Sequence, residues 1–251
     1  MRHLMRRHAG RNFMHTHFTP IRLAPRQIAL CTALFACFLL FASCAPKAVL
    51  TVRPDGSGSA NFSEDMTDQA EKVVRRFTGA KSDLFDKQAI SDSLSRAGVK
   101  VDSVTFPTPS GMRLALSLGN VDGLPGSAVS CSPKNRTLTV TLSRETVHEA
   151  LTVMPASMND YIDLLMAPAF TGETLTQAEY IDVVRSAYGK TIADELLKSD
   201  FTLAVHCPSS VKQLKIDAPG ASSSAGNEAT FRIPLAALLA MEKPIQAKVG
   251  W

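Results

Sequence analysis

The sequence has few cysteines, a single tryptophan, and no acidic residue in its first 43 positions. Five cysteines in 251 residues are too few for a disulfide scaffold. A hydrophobic content of 45% against 20% charged residues is too apolar for a disordered chain, so a globular body is expected. The apolar run at residues 28–43 has 16 residues, short of the roughly 20 that a bilayer-spanning helix needs. There is no G-x-S-x-G, H-E-x-x-H, P-loop or dinucleotide fingerprint, and no internal repeat. Ser209-Ser210-Val211-Lys212 and Ser157-Met158-Asn159 match two motifs of penicillin-recognising enzymes, but in reversed order and without a following K-T-G, so that reading is rejected.

What is present is a charge imbalance with an address. The formal net charge of +4 suggests an acidic partner such as nucleic acid, if it is spread over the fold. It is not spread. Arg2, Arg6, Arg7, Arg11, Arg22 and Arg26 all precede residue 44, and without them 21 basic residues face 23 acidic ones, a net of −2. Nucleic acid is therefore excluded as an expected partner. Four of the six histidines lie in the same lead, leaving His148 and His206, so neither a metal nor a cofactor is expected.

The basic lead is followed by IALCTALFACFLLFAS at 28–43, an h-region in length and composition. Leu39-Leu40-Phe41-Ala42-Ser43-Cys44 then resembles the lipobox of bacterial lipoproteins, with Phe41 where Leu is usual. The resemblance implies a signal peptide over 1–43, cleavage before Cys44, a diacylglycerol on its thiol and acylation of the new amino group. Palmitate is a typical acyl chain. An uncleaved anchor and a plain secretory signal are the alternatives; the short run and its small closing residues favour the lipoprotein. Ala45 stands where an Asp favours inner-membrane retention in enteric bacteria, so the outer membrane is open to it. The lead is long for a signal, and Met14 offers a second start with a more ordinary n-region.

Residues 44–251 suffice for one lipid-anchored α+β domain with a short linker after Cys44. Ala48–Arg53, a Pro54-Asp55-Gly56 turn and SGSANFS predict a β-hairpin. The alternating Asp55, Ser57, Ser59 and Asn61 imitate a calcium loop but lack its glycine and its closing Glu, so the plain hairpin is preferred. Helices are expected over 65–77 and 84–97, and strands over 99–106, 112–121, 128–131 and 137–142. The segment 144–200 turns helical. Thr176 and Glu179 form a capping box ahead of an apolar stripe of Tyr180, Ile181, Val184, Ala187 and Tyr188, and Ile192, Leu196 and Leu197 suggest a second helix. Strands return at 201–207, 211–217 and 229–233, Pro234 opens a short apolar helix, and Ile245, Ala247, Val249 and Trp251 alternate in a last strand. The fold class is α+β: antiparallel sheet with a helical central segment packed on one side.

Cys131 and Cys207 are the thiols that remain once Cys44 is lipidated and the leader is lost. In an oxidising envelope they form a disulfide or stay as two buried thiols, and the sequence leaves both open. His206 beside Cys207 does not make a Cys–His site, because strand neighbours point to opposite faces. Met154, Met158, Tyr161, Leu165, Met166 and Phe170 are either a core helix or an apolar ligand surface.

The hairpin, the helical middle and Ile233-Pro234-Leu235 ahead of Trp251 resemble LppM-type and spirochaetal envelope lipoproteins. That resemblance implies an envelope lipoprotein domain without an assigned catalytic residue. The expectation is a non-enzymatic binding or scaffolding module, held to a bacterial membrane on its periplasmic or surface face by an N-terminal lipid. Its partner is an unidentified envelope protein or lipid; the alternative is a carrier of a lipid or small apolar ligand using segment 154–170.

Overall fold

Lys47–Val52 (β1) and Gly58–Asp65 (β2) alternate inward and outward side chains, so Ala48, Leu50, Val52, Ala60 and Phe62 fall on one buried face. The expected turn joins them. Asp55 Oδ1 accepts from Ser57 N at 2.9 Å, and Gly56 takes the positive φ of 86° that a side chain would resist. The computed structural model describes residues 46–79, 84–121, 128–151 and 174–251.

The remaining strands are β3 (Lys100–Thr105), β4 (Gly111–Leu118), β5 (Val129–Ser132), β6 (Thr137–Leu142), β7 (Asp200–His206), β8 (Gln213–Asp217), β9 (Ala221–Ala225), β10 (Glu228–Pro234) and β11 (Ile245–Gly250). They form a seven-stranded sheet, ordered β3-β4-β2-β1-β7-β10-β9, and a four-stranded sheet, ordered β5-β6-β11-β8. Every pair is antiparallel except β1 with β7. The larger sheet is one-sided: Leu114, Phe62, Leu50, Leu203 and Phe231 are buried on one face, while Lys47, Asn61 and Arg232 stand exposed on the other. Leu138, Val140, Ala247 and Val249 of the smaller sheet join the same core.

Six helices cover that core among the described residues: α1 (Asp68–Thr78), α2 (Lys87–Arg96), α3 (Arg144–Leu151), α4 (Gln177–Tyr188), α5 (Lys190–Lys198) and α6 (Leu235–Ala240). Their ends are written in the sequence. Thr67 caps α1 by accepting from Ala70 N, and Gly79 closes it at φ 68°. Asp86 caps α2 by accepting from Gln88 N and Ala89 N. The capping box of α4 is complete, with Glu179 N donating to Thr176 Oγ1 at 3.3 Å and Thr176 N donating to Glu179 Oε2 at 2.8 Å. Helix α2 lies on β3, and α6 packs against α4, α5, β7 and β10.

Several expectations need correction. Asp65 ends β2 instead of starting a helix, because Thr67 supplies the cap and α1 begins at Asp68. Ala187 and Leu197 are exposed, since the buried stripes run through Tyr180, Ile181 and Val184 on α4 and Ile192, Ala193 and Leu196 on α5. Val211 and Lys212 precede β8. The serine tract Ala221–Ala225 is a strand, held by backbone pairing to β10 with all five residues exposed.

Strand β11 lies between β6 and β8, and Trp251 behind it is 6% exposed. Deleting Ile245–Trp251 is expected to abolish cooperative thermal unfolding. The milder Val249→Ala should lower stability by about 2 kcal/mol in chemical denaturation.

Candidate functional site

One row of paired residues crosses the larger sheet: Thr105, Arg113, Ser63, Lys47, Thr202, Arg232 and Ala221, in strand order. Beyond Lys47 the chain leads back through Pro46 toward Cys44. At the same end lie the β2–α1 link, the β3–β4 loop Phe106–Ser110, and the junction of α5 with β7. With strands about 4.8 Å apart, that loop stands about 10–14 Å to one side of β1.

The loop builds a notch of about 350 Å³ from Phe85, Phe106, Pro107, Thr108 and Pro109, with no charged residue in its lining. The rings of Phe85 and Phe106 stack at 5.8 Å and 17°. Phe85 is buried and Phe106 half-buried, while Pro107, Thr108 and Pro109 are exposed.

Glu64 is the anomaly of this end. The period of β2 places it on the core face beside Phe62, opposite Met112 of β4. It is 1% exposed, and among the described residues neither carboxyl oxygen has a hydrogen-bond partner. Burial raises its pKa to about 10; Asp65 adds to the rise and Arg113 opposes it. At neutral pH Glu64 is a protonated, uncharged acid. The sequence carried the signal, since the alternation through Ala60 and Phe62 points Glu64 inward, but a charged residue is ordinarily read as facing water.

The neighbouring charges are paired. Arg113 clasps Asp65 from two nitrogens, at 2.5 and 3.2 Å, and donates to the Glu64 carbonyl at 2.7 Å. Gly111 admits this clasp, because a Cβ there would collide with Asp65 Oδ1 and Thr108 Oγ1. Glu71 is held below the usual carboxylate range by hydrogen bonds from Arg75 and then Ser110.

Cys131 on β5 and Cys207 just after β7 are both buried, and no disulfide joins them. Burial pushes the Cys207 thiol up to about 11, with Cys131 adding to the effect. His206 points the other way, half-exposed, with Nε2 3.7 Å from Glu228. Among the described residues no group of His, Cys, Asp and Glu could hold a metal, and no helix is long and apolar enough to cross a membrane. Cys44 lies outside the described residues, as do Met154, Met158, Tyr161, Leu165, Met166 and Phe170.

No protein-family model matches the chain, and no curated protein matches it. Among solved structures the chain is similar to the folded domain of the Mycobacterium tuberculosis protein LppM, determined by NMR. The TM-score is 0.35 at 10% identity, over 82% of this chain and 89% of that one.

Two predictions follow from the buried groups. Below about pH 4.5 Glu64 is protonated in both folded and unfolded chains; above it the unfolded chain loses a proton that the folded one keeps until about pH 10. Stability should therefore fall as pH rises through that window. Glu64→Gln should remove the slope and raise stability at pH 7.5 by about 2–4 kcal/mol, with little change at pH 4, in urea titrations. For the thiols, maleimide at pH 7 should leave Cys131 and Cys207 unmodified in the native protein and label both after denaturation with reductant, read by peptide mass mapping. Labelling of native Cys207 would contradict its burial.

Proposed function

We propose that the protein is a bacterial envelope lipoprotein, tethered to a membrane through Cys44, whose α+β body is a non-enzymatic binding or scaffolding module. One observation carries this reading: the basic lead, the charge-free run 28–43 and Leu39–Cys44 follow one another in the order that a lipoprotein signal requires. The chemistry fits a tether. Each buried methylene contributes about 0.8 kcal/mol, so two or three acyl chains hold firmly where one would exchange. Within the body, burial keeps Glu64 and Cys207 uncharged at neutral pH, a state in which the one is no general base and the other no thiolate nucleophile.

Intact and N-terminal mass spectrometry of protein extracted from membranes tests the tether. The expected mature chain begins at Cys44 and carries diacylglycerol, and Cys44→Ala should leave the leader uncut. A chain running intact from Met1 without lipid would sink the reading.

A further inference from the structure

The end of the larger sheet beyond the Lys47 row is built differently from the opposite end. It carries the uncharged Phe85–Phe106 notch with Pro107 and Pro109 exposed, on the β3 side of β1. On the β7 side, Leu197, the last residue but one of α5, has 49% of its surface exposed, three residues before β7 begins. The opposite end is polar: its turns expose Arg53, Asp55, Asn120 and Asn227. Exposed apolar side chains therefore flank the entry of β1 on both sides, set among the exposed charges of Lys47, Asp65, Lys198 and Asp200.

We propose that this end is the membrane-facing surface of the protein, with Phe106, Pro107, Pro109 and Leu197 seated in the headgroup layer of the bilayer that holds the Cys44 lipid. The proposal rests on the lipoprotein reading above and adds an orientation to it. Its support is a match of lengths. From Cys44 to Lys47 the chain advances three residues, a reach of at most about 10 Å. The β2–β4 ladder continues two residues past the row to the pair Asp65 and Gly111, about 7 Å, and Thr108 at the loop tip lies beyond that pair. The projection of the loop from the row is thus comparable with the greatest reach of the three-residue tether, about 10–14 Å to one side of it. A bilayer that takes up the lipid on Cys44 is held close to the loop. Aromatic rings and uncharged side chains are what the interfacial layer accommodates. Asp65, which lies against Gly111 at the base of the loop, is paired with Arg113.

The test uses the full chain, expressed with its leader, purified from membranes and reconstituted in vesicles of equimolar phosphatidylethanolamine and phosphatidylglycerol. Some of the lipid carries a spin label just below the headgroup. A fluorophore is attached through Thr108→Cys at the loop tip or through Asp55→Cys at the opposite turn; the native Cys131 and Cys207 are buried and stay unlabelled. The Thr108 fluorophore is expected to be quenched about threefold more than the Asp55 one, as interfacial seating requires. Pro109→Cys repeats the measurement if Thr108→Cys disturbs the loop. Equal quenching at the two ends, on protein that floats with the vesicles, overturns the proposal and leaves the tether intact. Protein that fails to float overturns the tether itself, a separate readout.

Discussion

The parallel pairing of β1 with β7 is the contact on which the rest of the molecule depends. It joins residues about 155 positions apart, Lys47 to Thr202, in the middle of the larger sheet. On one side β1 carries the N-terminal β2, β4 and β3; on the other, β7 carries β10 and β9 from the C-terminal part. Without it the sheet would divide into two antiparallel ribbons, each with an open edge and half a core. Closing so long a loop costs about 4–5 kcal/mol of chain entropy on the logarithmic scaling. The return is a continuous apolar face, where Leu50 meets Val205 and Ala48 meets Leu203 across the join. A parallel pair needs a long crossover, and here it contains α1 to α5 and β2 to β6, including the first half of the smaller sheet.

The same pairing fixes which ends of the strands lie together. Because β1 and β7 run the same way, the start of the domain, the end of α5 and the β3–β4 loop fall at one end of the sheet. The hairpin turn at Gly56 falls at the other, where a Cβ would come within 3.1 Å of Pro133 in the β5–β6 turn. This is how two sheets with no shared strand meet, and how Cys131, two residues before Pro133, comes to act on Cys207, which follows the end of β7.

Much of this was legible residue by residue where a local rule decides the outcome. The Asp55-Gly56 turn, the Thr176–Glu179 capping box and the alternation ending at Trp251 each specify a geometry over a few positions, and each is found. The misses share a different cause. Strand β9 is three serines between two alanines, residues with little strand preference of their own, and the ladder to β10 makes it a strand. Leu197 and Ala187 fit an apolar stripe by spacing, yet face solvent because α4 and α5 bury narrower faces against each other and α6. The β1–β7 pair is non-local, and no window of sequence contains both partners. The notch has no local signature in the sequence, since Phe85 reaches it from before α2.

The carboxyl groups at the Lys47 end of the larger sheet show the physical demand placed on it. An unpaired carboxylate is expensive wherever water is scarce, whether inside a core or against a lipid surface. On β2, α1 and the start of α2 each acidic side chain has an answer to that cost. Asp65 is clasped by Arg113, Glu71 by Arg75 and Ser110, and Asp86 by the backbone N–H groups that open α2. Asp68 and Glu71 also sit in the first turn of α1, where the helix dipole favours negative charge. Glu64 has no such partner and is kept neutral instead, by retaining its proton. Replacing it with an apolar residue would have served the core better, so stability does not explain its place. A carboxyl group that stays uncharged over the ordinary pH range adds no repulsion toward an anionic surface, as a solvent-facing glutamate at this end of β2 would.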